Sequence, residues 1–296
     1  MLYENTALIF EGGGMRNAYT AAVVETLLAN DIVFPKVYGI SAGAVLAVCY
    51  ASQDPRRAKA TFTESVQKVD KNVLANLLRG EGVFDLQYIL EGLSEMNAAE
   101  DNEWTFHFDR FKHGETDAQI EAFNVTTGET KAWTREDMHT LTDVMECVRA
   151  SCSYPLFTPV AEIDGQRYVD GGMGTSHGIC LDAAIQDGFE RFFVVRTQER
   201  TYRMPDLPLA KKEAYRIAYA KYPKVVHALE ARPQAYNQLL DRLEGLREVG
   251  TAYVFCPDAM PISYKTFDYE SLCHAYDLGI TQCRRELSAW KAWLEG

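Results

Sequence analysis

The chain has 296 residues, 47% hydrophobic and 24% charged, an ordinary globular composition with enough length to bury a large core, which excludes wholesale disorder. Its 30 Lys and Arg against 42 Asp and Glu leave a net charge of −12, a balance that repels a phosphate backbone, so no nucleic-acid partner is expected. The opening MLYENTALIF has no basic n-region, no run is long enough to span a bilayer, and the seven cysteines form no Cys-x-x-Cys pair; these features predict a cytoplasmic protein with reduced, mostly buried thiols.

Thr6–Phe10 is a short apolar run closed by Gly12-Gly13-Gly14, the pattern of a buried strand feeding a glycine loop. Residues 18–29 carry Ala21, Ala22, Val24, Leu27 and Leu28 at helical spacing, ended by Asn30-Asp31. A second strand is expected at 37–40 and a small-residue helix at Ala42–Ala51, an order that implies two parallel strands with a crossover. Residues 55–78 read as helix, Gly80 and Gly82 break it, a short helix is expected at 86–93, and 94–116 read as polar loop.

Alternation over 118–123, answered by 130–133 across a turn with Gly128, predicts a hairpin, followed by a helix at Leu141–Ser151. Strands at 160–163 and 166–169 flank Asp164-Gly165, the signature of a type I′ turn, so Asp170 should stand just past a strand end. A helix over 179–187 with Gly188 as its cap and a strand at Arg191–Val195 resume the sheet. Beyond Arg200 come tyrosine-rich helices, one over 233–249, then a strand at Ala252–Phe255 and a last helix over 269–294.

Three short patterns carry chemistry. Gly39-Ile40-Ser41-Ala42-Gly43 between a strand and a helix has the form of a nucleophile elbow, in which Gly39 and Gly43 let strand and helix approach and the helix N-terminus under Ser41 favours negative charge. Gly12, Gly13 and Gly14 offer consecutive backbone N–H groups, suited to an oxyanion hole with Ala42; a plain turn or a phosphate loop is the competing reading, although Gly12-x-Gly14-x-x-Asn17 lacks a third glycine and no Walker lysine follows. Asp170-Gly171-Gly172 ends a strand with a carboxylate beside two glycines, a pattern that is also a common turn. A histidine base would have to come from His227 or His274, both in amphipathic helical stretches, or from His177, seven residues after Asp170.

Taken together, Glu11-Gly12-Gly13-Gly14-Met15-Arg16, Gly39-Ile40-Ser41-Ala42-Gly43 and Asp170-Gly171-Gly172, with Arg149-Ala150-Ser151, Pro155, Phe157 and Pro159 before the last, resemble the motifs of the patatin-like phospholipases. The tail, with Arg196-Thr197, Arg232-Pro233 and Tyr236-Asn237, is similar to that of a bacterial subgroup with a helical C-terminal extension. The resemblance implies a three-layer α/β/α fold with a mainly parallel sheet, a catalytic domain over 1–200 and a helical extension over 201–296 packed on it. It implies a serine acyl hydrolase acting on lipid or other carboxylic esters through a Ser41–Asp170 dyad, without cofactor or metal, and with Arg16, the basic residue of the first motif, as either a candidate anion contact or the partner of a carboxylate.

The departure is Asn17, where such families carry glycine; a tolerated backbone angle or a helix cap is expected there, with the donors of Gly13 and Gly14 intact. Two other functions fit the same motifs, a lipid-binding or regulatory module with weak catalysis and an acyltransferase using the same Ser41 nucleophile. Lys211, Lys212, Arg216, Lys221 and Lys224 form a basic run, either a solvated face or a peripheral contact with the inner face of a membrane.

Overall fold

In a computed structural model, residues 1–68 and 102–296 are described, and they build one eight-stranded sheet with helices on both faces. At its centre β1 (Thr6–Phe10) lies between β2 (Lys36–Ile40) and β7 (Arg191–Val195), both parallel to it. The parallel run continues through β3 (Asp117–Asn124) beside β2 and β8 (Ala252–Phe255) beside β7. Antiparallel strands complete it: β4 (Thr130–Thr134) on β3, and the hairpin of β5 (Ala161–Ile163) with β6 (Gln166–Asp170), whose last residues also pair with β3. Both turn residues of that hairpin, Asp164 and Gly165, have positive φ (51° and 72°), as a type I′ turn requires.

β1 is buried along its whole length, as a central parallel strand must be, and its side chains divide between the faces with period two. Leu8 and Phe10 join a core with α1 (Asn17–Ala29), α2 (Ala42–Ala51), α3 (Pro55–Phe62) and part of α4 (Ser65–Lys68). Ala7 and Ile9 point the other way, into a core with Tyr236, Leu239, Leu240 and Leu243. The result is a three-layer α/β/α arrangement around a mainly parallel sheet.

The short α5 (Phe108–His113) falls inside a stretch read as loop, anchored by Phe111, which is fully buried against Phe106 and Phe108. α6 (Leu141–Ser151) matches its expected bounds and opens with a Thr140–Asp143 capping box, while α7 (Leu181–Gln186) is shorter than expected. The helix expected over 55–78 is interrupted at Thr63 and Glu64 and resumes as α4; the part beyond residue 68 and the helix expected at 86–93 lie outside the described residues.

Residues beyond 200 give α8 (Leu209–Ala218), α9 (Pro223–Glu248) and α10 (Tyr269–Glu295). α9 corrects the expectation of a helix starting at residue 233. Pro223 takes the first-turn position where a missing N–H costs nothing, and Pro233 sits inside the helix, its break in the hydrogen-bond ladder offset by the buried Val225, Leu229, Tyr236 and Leu239 on either side. α10 crosses α1 so closely that a Cβ on Gly279 would stand 2.3 Å from the Tyr19 carbonyl oxygen, and Trp290 closes the core edge-on to Phe193 and Phe255.

Candidate active site

Ser41 is the single residue between β2 and α2, with φ 56° and ψ −134°, a left-handed conformation that costs a side-chain-bearing residue about 1–3 kcal/mol and is held only by its surroundings. The glycines around it are steric necessities: a Cβ on Gly39 would lie 2.4 Å from the Gly43 oxygen, and one on Gly43 2.4 Å from the Phe10 oxygen. The Ser41 N–H donates to Ser151 Oγ at 2.8 Å, and the Ser151 hydroxyl donates to the Glu121 carbonyl at 2.7 Å. Ser151, fully buried at the end of α6, therefore ties the elbow to β3, a role that its local sequence does not announce.

The glycine loop leaves β1 beside this elbow. The Gly12 N–H donates to Gly178 O at 3.1 Å, whereas the N–H groups of Gly13, Gly14 and Ala42 meet no acceptor among the described residues. Of the four residues expected to hold an oxyanion, Gly12 thus has its donor committed elsewhere, and three have one to offer. The loop is pinned by Glu11, a buried carboxylate that accepts from Thr197 N at 2.6 Å and from the Tyr236 hydroxyl, with Arg196 Nε 3.9 Å from Oε2. Burial alone would lower the Arg196 pKa, but Glu11 and Tyr236 outweigh it and hold the guanidinium charged.

Asn17 adopts ordinary helical angles and ends the 3-10 turn Gly14–Arg16 through its backbone N–H, but its side chain caps no helix. Its Nδ2 instead donates to the Glu11 carbonyl at 3.2 Å from a fully buried position, tying the loop's first turn to the end of β1.

Register brings Asp170 to Ser41. Gln119, Ile120 and Glu121 of β3 have β2 on one edge and β4 on the other, while Ala122 and Phe123 have β4 on one edge and β6 on the other. β6 therefore occupies the β2 edge of β3 at the point where β2 ends. Asp170, the last residue of β6 and paired with Ala122, arrives head-on at the elbow that follows Ile40, itself paired with Glu121. The abutment is tight: a Cβ on Gly171 would stand 2.1 Å from Glu121 O and 3.1 Å from Ile40 Cγ2.

Asp170 is 1% exposed, Oδ1 accepts from Gly172 N–H at 2.8 Å, and Oδ2 is buried without a partner at bonding geometry among the described residues. Burial pushes its pKa above the ordinary carboxylate range, opposed by Arg232, the Ser41 hydroxyl and the Gly172 N–H.

Gly12, Gly13, Gly14, Arg16, Ser41, Ala42 and Asp170 line one cavity of about 380 Å³, walled by apolar side chains that include Val45, Phe62, Leu207 and Leu229. Gly39, Gly43, Gly171 and Gly172 do not line it but allow the close backbone approaches around Ser41 and Asp170, and none of the six histidines lines it. His177 is half-buried nearby with its pKa lowered by burial and by Arg232. Arg232 and Pro233 of α9 and Lys211 of α8 reach the wall from the tail, a contribution that local pattern could not reveal. Among the described residues no group of three or more His, Cys, Asp or Glu is placed to hold a metal, and no helix is long and apolar enough to cross a membrane.

A family model described as patatin-like phospholipase matches residues 8–181, more than half of the chain, from within β1 to the first residue of α7. The chain belongs to the patatin-like phospholipase family. Family membership puts this patatin-like protein among the lipid hydrolases. A second model, described as a domain of unknown function (DUF6363), matches residues 222–295, which take in α9, β8 and α10. Among solved structures, that of VipD from Legionella pneumophila is similar with a TM-score of 0.51 at 12% identity, over 96% of this chain and 67% of that one; at such identity the likeness speaks for the patatin fold. No curated protein matches the sequence.

Proposed function

We propose that this patatin-like protein is a serine acyl hydrolase that cleaves carboxylic esters of lipids through a Ser41–Asp170 dyad and an acyl-enzyme intermediate. The observation that carries the reading is the abutment of β6 on β2, which puts the Asp170 carboxyl and the Ser41 hydroxyl in one cavity with no histidine between them. The ionised Asp170 takes the Ser41 proton as Oγ attacks the ester carbonyl carbon. The resulting oxyanion accepts hydrogen bonds from the unsatisfied N–H groups of Gly13, Gly14 and Ala42, at the positive end of α2. As the tetrahedral intermediate collapses, the proton passes from Asp170 to the departing alcohol. Water then attacks the acyl-enzyme carbonyl as Asp170 takes its proton, the Oγ–acyl bond breaks, and the proton returns from Asp170 to Ser41 Oγ as the fatty acid leaves.

The raised pKa of Asp170 brings a carboxylate closer to the basicity this chemistry needs. The apolar wall suits an acyl chain. Residues 1–200 serve as the catalytic unit, and 201–296 pack on it as one domain, a reading supported by Arg232 and Pro233 in the cavity wall and by β8 in the sheet. A peripheral membrane contact fits the exposed Leu209 and Ile217 of α8 and the exposed Leu156, whose chain neighbours Pro208 and Phe157 line the cavity.

Hydrolysis of short p-nitrophenyl esters, with stoichiometric labelling of Ser41 by a fluorophosphonate, tests the proposal. Ser41→Ala and Asp170→Asn should each abolish turnover and His177→Ala should not. Full activity in Asp170→Asn together with loss in His177→Ala would overturn the dyad.

A further inference from the structure

Two guanidinium groups line the cavity, and among the described residues neither is in ion-pair contact with a carboxylate. Arg16 ends the 3-10 turn Gly14–Arg16, and Arg232 lies on α9, far along the chain but lining the same cavity as Ser41. Among the described residues neither makes a hydrogen bond or an ion pair, and the Nε of each is buried and unsatisfied. Of the acids that act on them, Glu11 is engaged by Thr197, Tyr236 and Arg196, and Asp170 Oδ1 by Gly172, while Asp206 also lines the cavity.

The two cations feel each other. Burial, and to a lesser degree Arg232, lower the Arg16 pKa against the pull of Glu11. The Tyr264 ring stands 5.9 Å from the Arg16 guanidinium, and Arg232 Nη2 lies 2.8 Å from where a Cβ on Gly172 would stand, beside the Asp170 turn. Lys211, also without an ion pair among the described residues, adds a third cation to the lining. Holding like charges together in a partly dry site is unfavourable unless a ligand supplies the opposite charge, and a guanidinium fork suits tetrahedral and planar oxyanions.

We propose that Arg232, contributed by the C-terminal segment, completes with Arg16 a two-arginine anion site, which receives the phosphate of an anionic ester substrate while its acyl carbonyl meets Ser41. The proposal rests on the reading of Ser41 and Asp170 as the ester-cleaving pair. It makes Arg232 a specificity-determining residue, so that loss of its fork weakens recognition of phosphate-bearing esters relative to uncharged ones of the same chain.

The test compares kcat/KM for a 1-acylglycerol 3-phosphate and for the 1-acylglycerol of the same chain, both monomeric, in wild type, Arg232→Gln and Arg232→Lys. Wild type should prefer the phosphate ester, Arg232→Gln should lower that preference about tenfold or more, and Arg232→Lys should restore part of it. A preference unchanged in Arg232→Gln, with both substrates slowed alike, overturns the site and leaves Arg232 acting only through Asp170.

Calorimetry on Ser41→Ala, with and without Arg232→Gln, separates the anion site from the chemistry. Binding of the acylglycerol phosphate that needs Arg232 supports the site even if wild type cleaves neither ester, in which case only the dyad fails. Inorganic phosphate bound as tightly as the lipid assigns the arginines to free phosphate and overturns the headgroup role. Equal binding of the lipid to both variants also overturns it.

Discussion

The backbone N–H of Ser41 donates to the side chain of Ser151 at 2.8 Å, so the strained elbow is held from the end of α6, and Ser41's own N–H is withheld from any oxyanion. Ser151 in turn donates to Glu121 O, linking the elbow to the strand that also receives Asp170. Ser151→Ala leaves two backbone groups without their partner. It should destabilise the fold by about 1–3 kcal/mol, read as a lower denaturant midpoint at unchanged slope. A drop in kcat of about tenfold with little change in KM should accompany it, because the groups it positions act in the transition state.

The pH profile should follow Asp170. Only the ionised carboxylate accepts the Ser41 proton, and its pKa is raised by burial, so the acid limb of kcat/KM should lie above the ordinary carboxylate range. Arg232 opposes that rise, so Arg232→Gln should move the limb to still higher pH. Asp170→Asn should lose about 10²–10⁴-fold in kcat above that limb and show no acid limb of its own.

Asp170 should also lower stability in its ionised state. A carboxyl whose folded pKa exceeds its unfolded value, about 3.9, holds its proton longer in the folded state, so stability falls as pH rises through the window between the two values. Asp170→Asn, which keeps a neutral side chain and the acceptor for Gly172 N–H, should melt at a higher temperature than wild type above that window. Below it the advantage should vanish. Thermal melts at pH 3.5 and pH 8 check the sign; an Asn variant less stable at pH 8 would contradict it.

The buried Glu11–Arg196 pair anchors the glycine loop to the strand end at Thr197. Arg196→Met leaves a buried carboxylate with only neutral donors, and breaking such a pair from one side costs about 3–5 kcal/mol. The double change Glu11→Leu with Arg196→Met should be less destabilising than Arg196→Met alone, which a denaturation cycle would read as a coupling between the two sites.

Leu209 and Ile217 on α8 are each 79% exposed, unusual for large apolar side chains, on a helix that also carries Lys211, Lys212 and Arg216. Sedimentation with anionic vesicles should therefore be seen for wild type. It should weaken at least about tenfold in Leu209→Glu with Ile217→Glu, since each apolar side chain contributes about 1.5–3 kcal/mol on leaving water. Sedimentation equal in both proteins would remove this face from any membrane contact.

The local signals were sufficient where structure is made locally. The apolar run Thr6–Phe10, the β-branched and aromatic Arg191–Val195, the Asp164-Gly165 turn and the glycines at 39 and 43 report φ/ψ demands and burial within a few residues, so β1, β7, the β5–β6 hairpin and the elbow follow from them. The motif resemblance likewise carried the family. Where burial overrides local preference, structure departs from local pattern: Pro233 has the look of a helix start but lies inside α9, and Phe111 anchors a helix within a polar stretch.

What tertiary structure alone decided is how the parts meet. Nothing in the sequence around Asp170 states that β6 takes the edge of β3 vacated by β2, because strand register is set by pairing across the whole sheet. For the same reason Ser151 behind the elbow, Tyr236 on Glu11 and Arg232 beside Asp170 were invisible locally. Each comes from a distant helix whose own periodicity specifies only which face is buried, while long-range packing determines what that face touches.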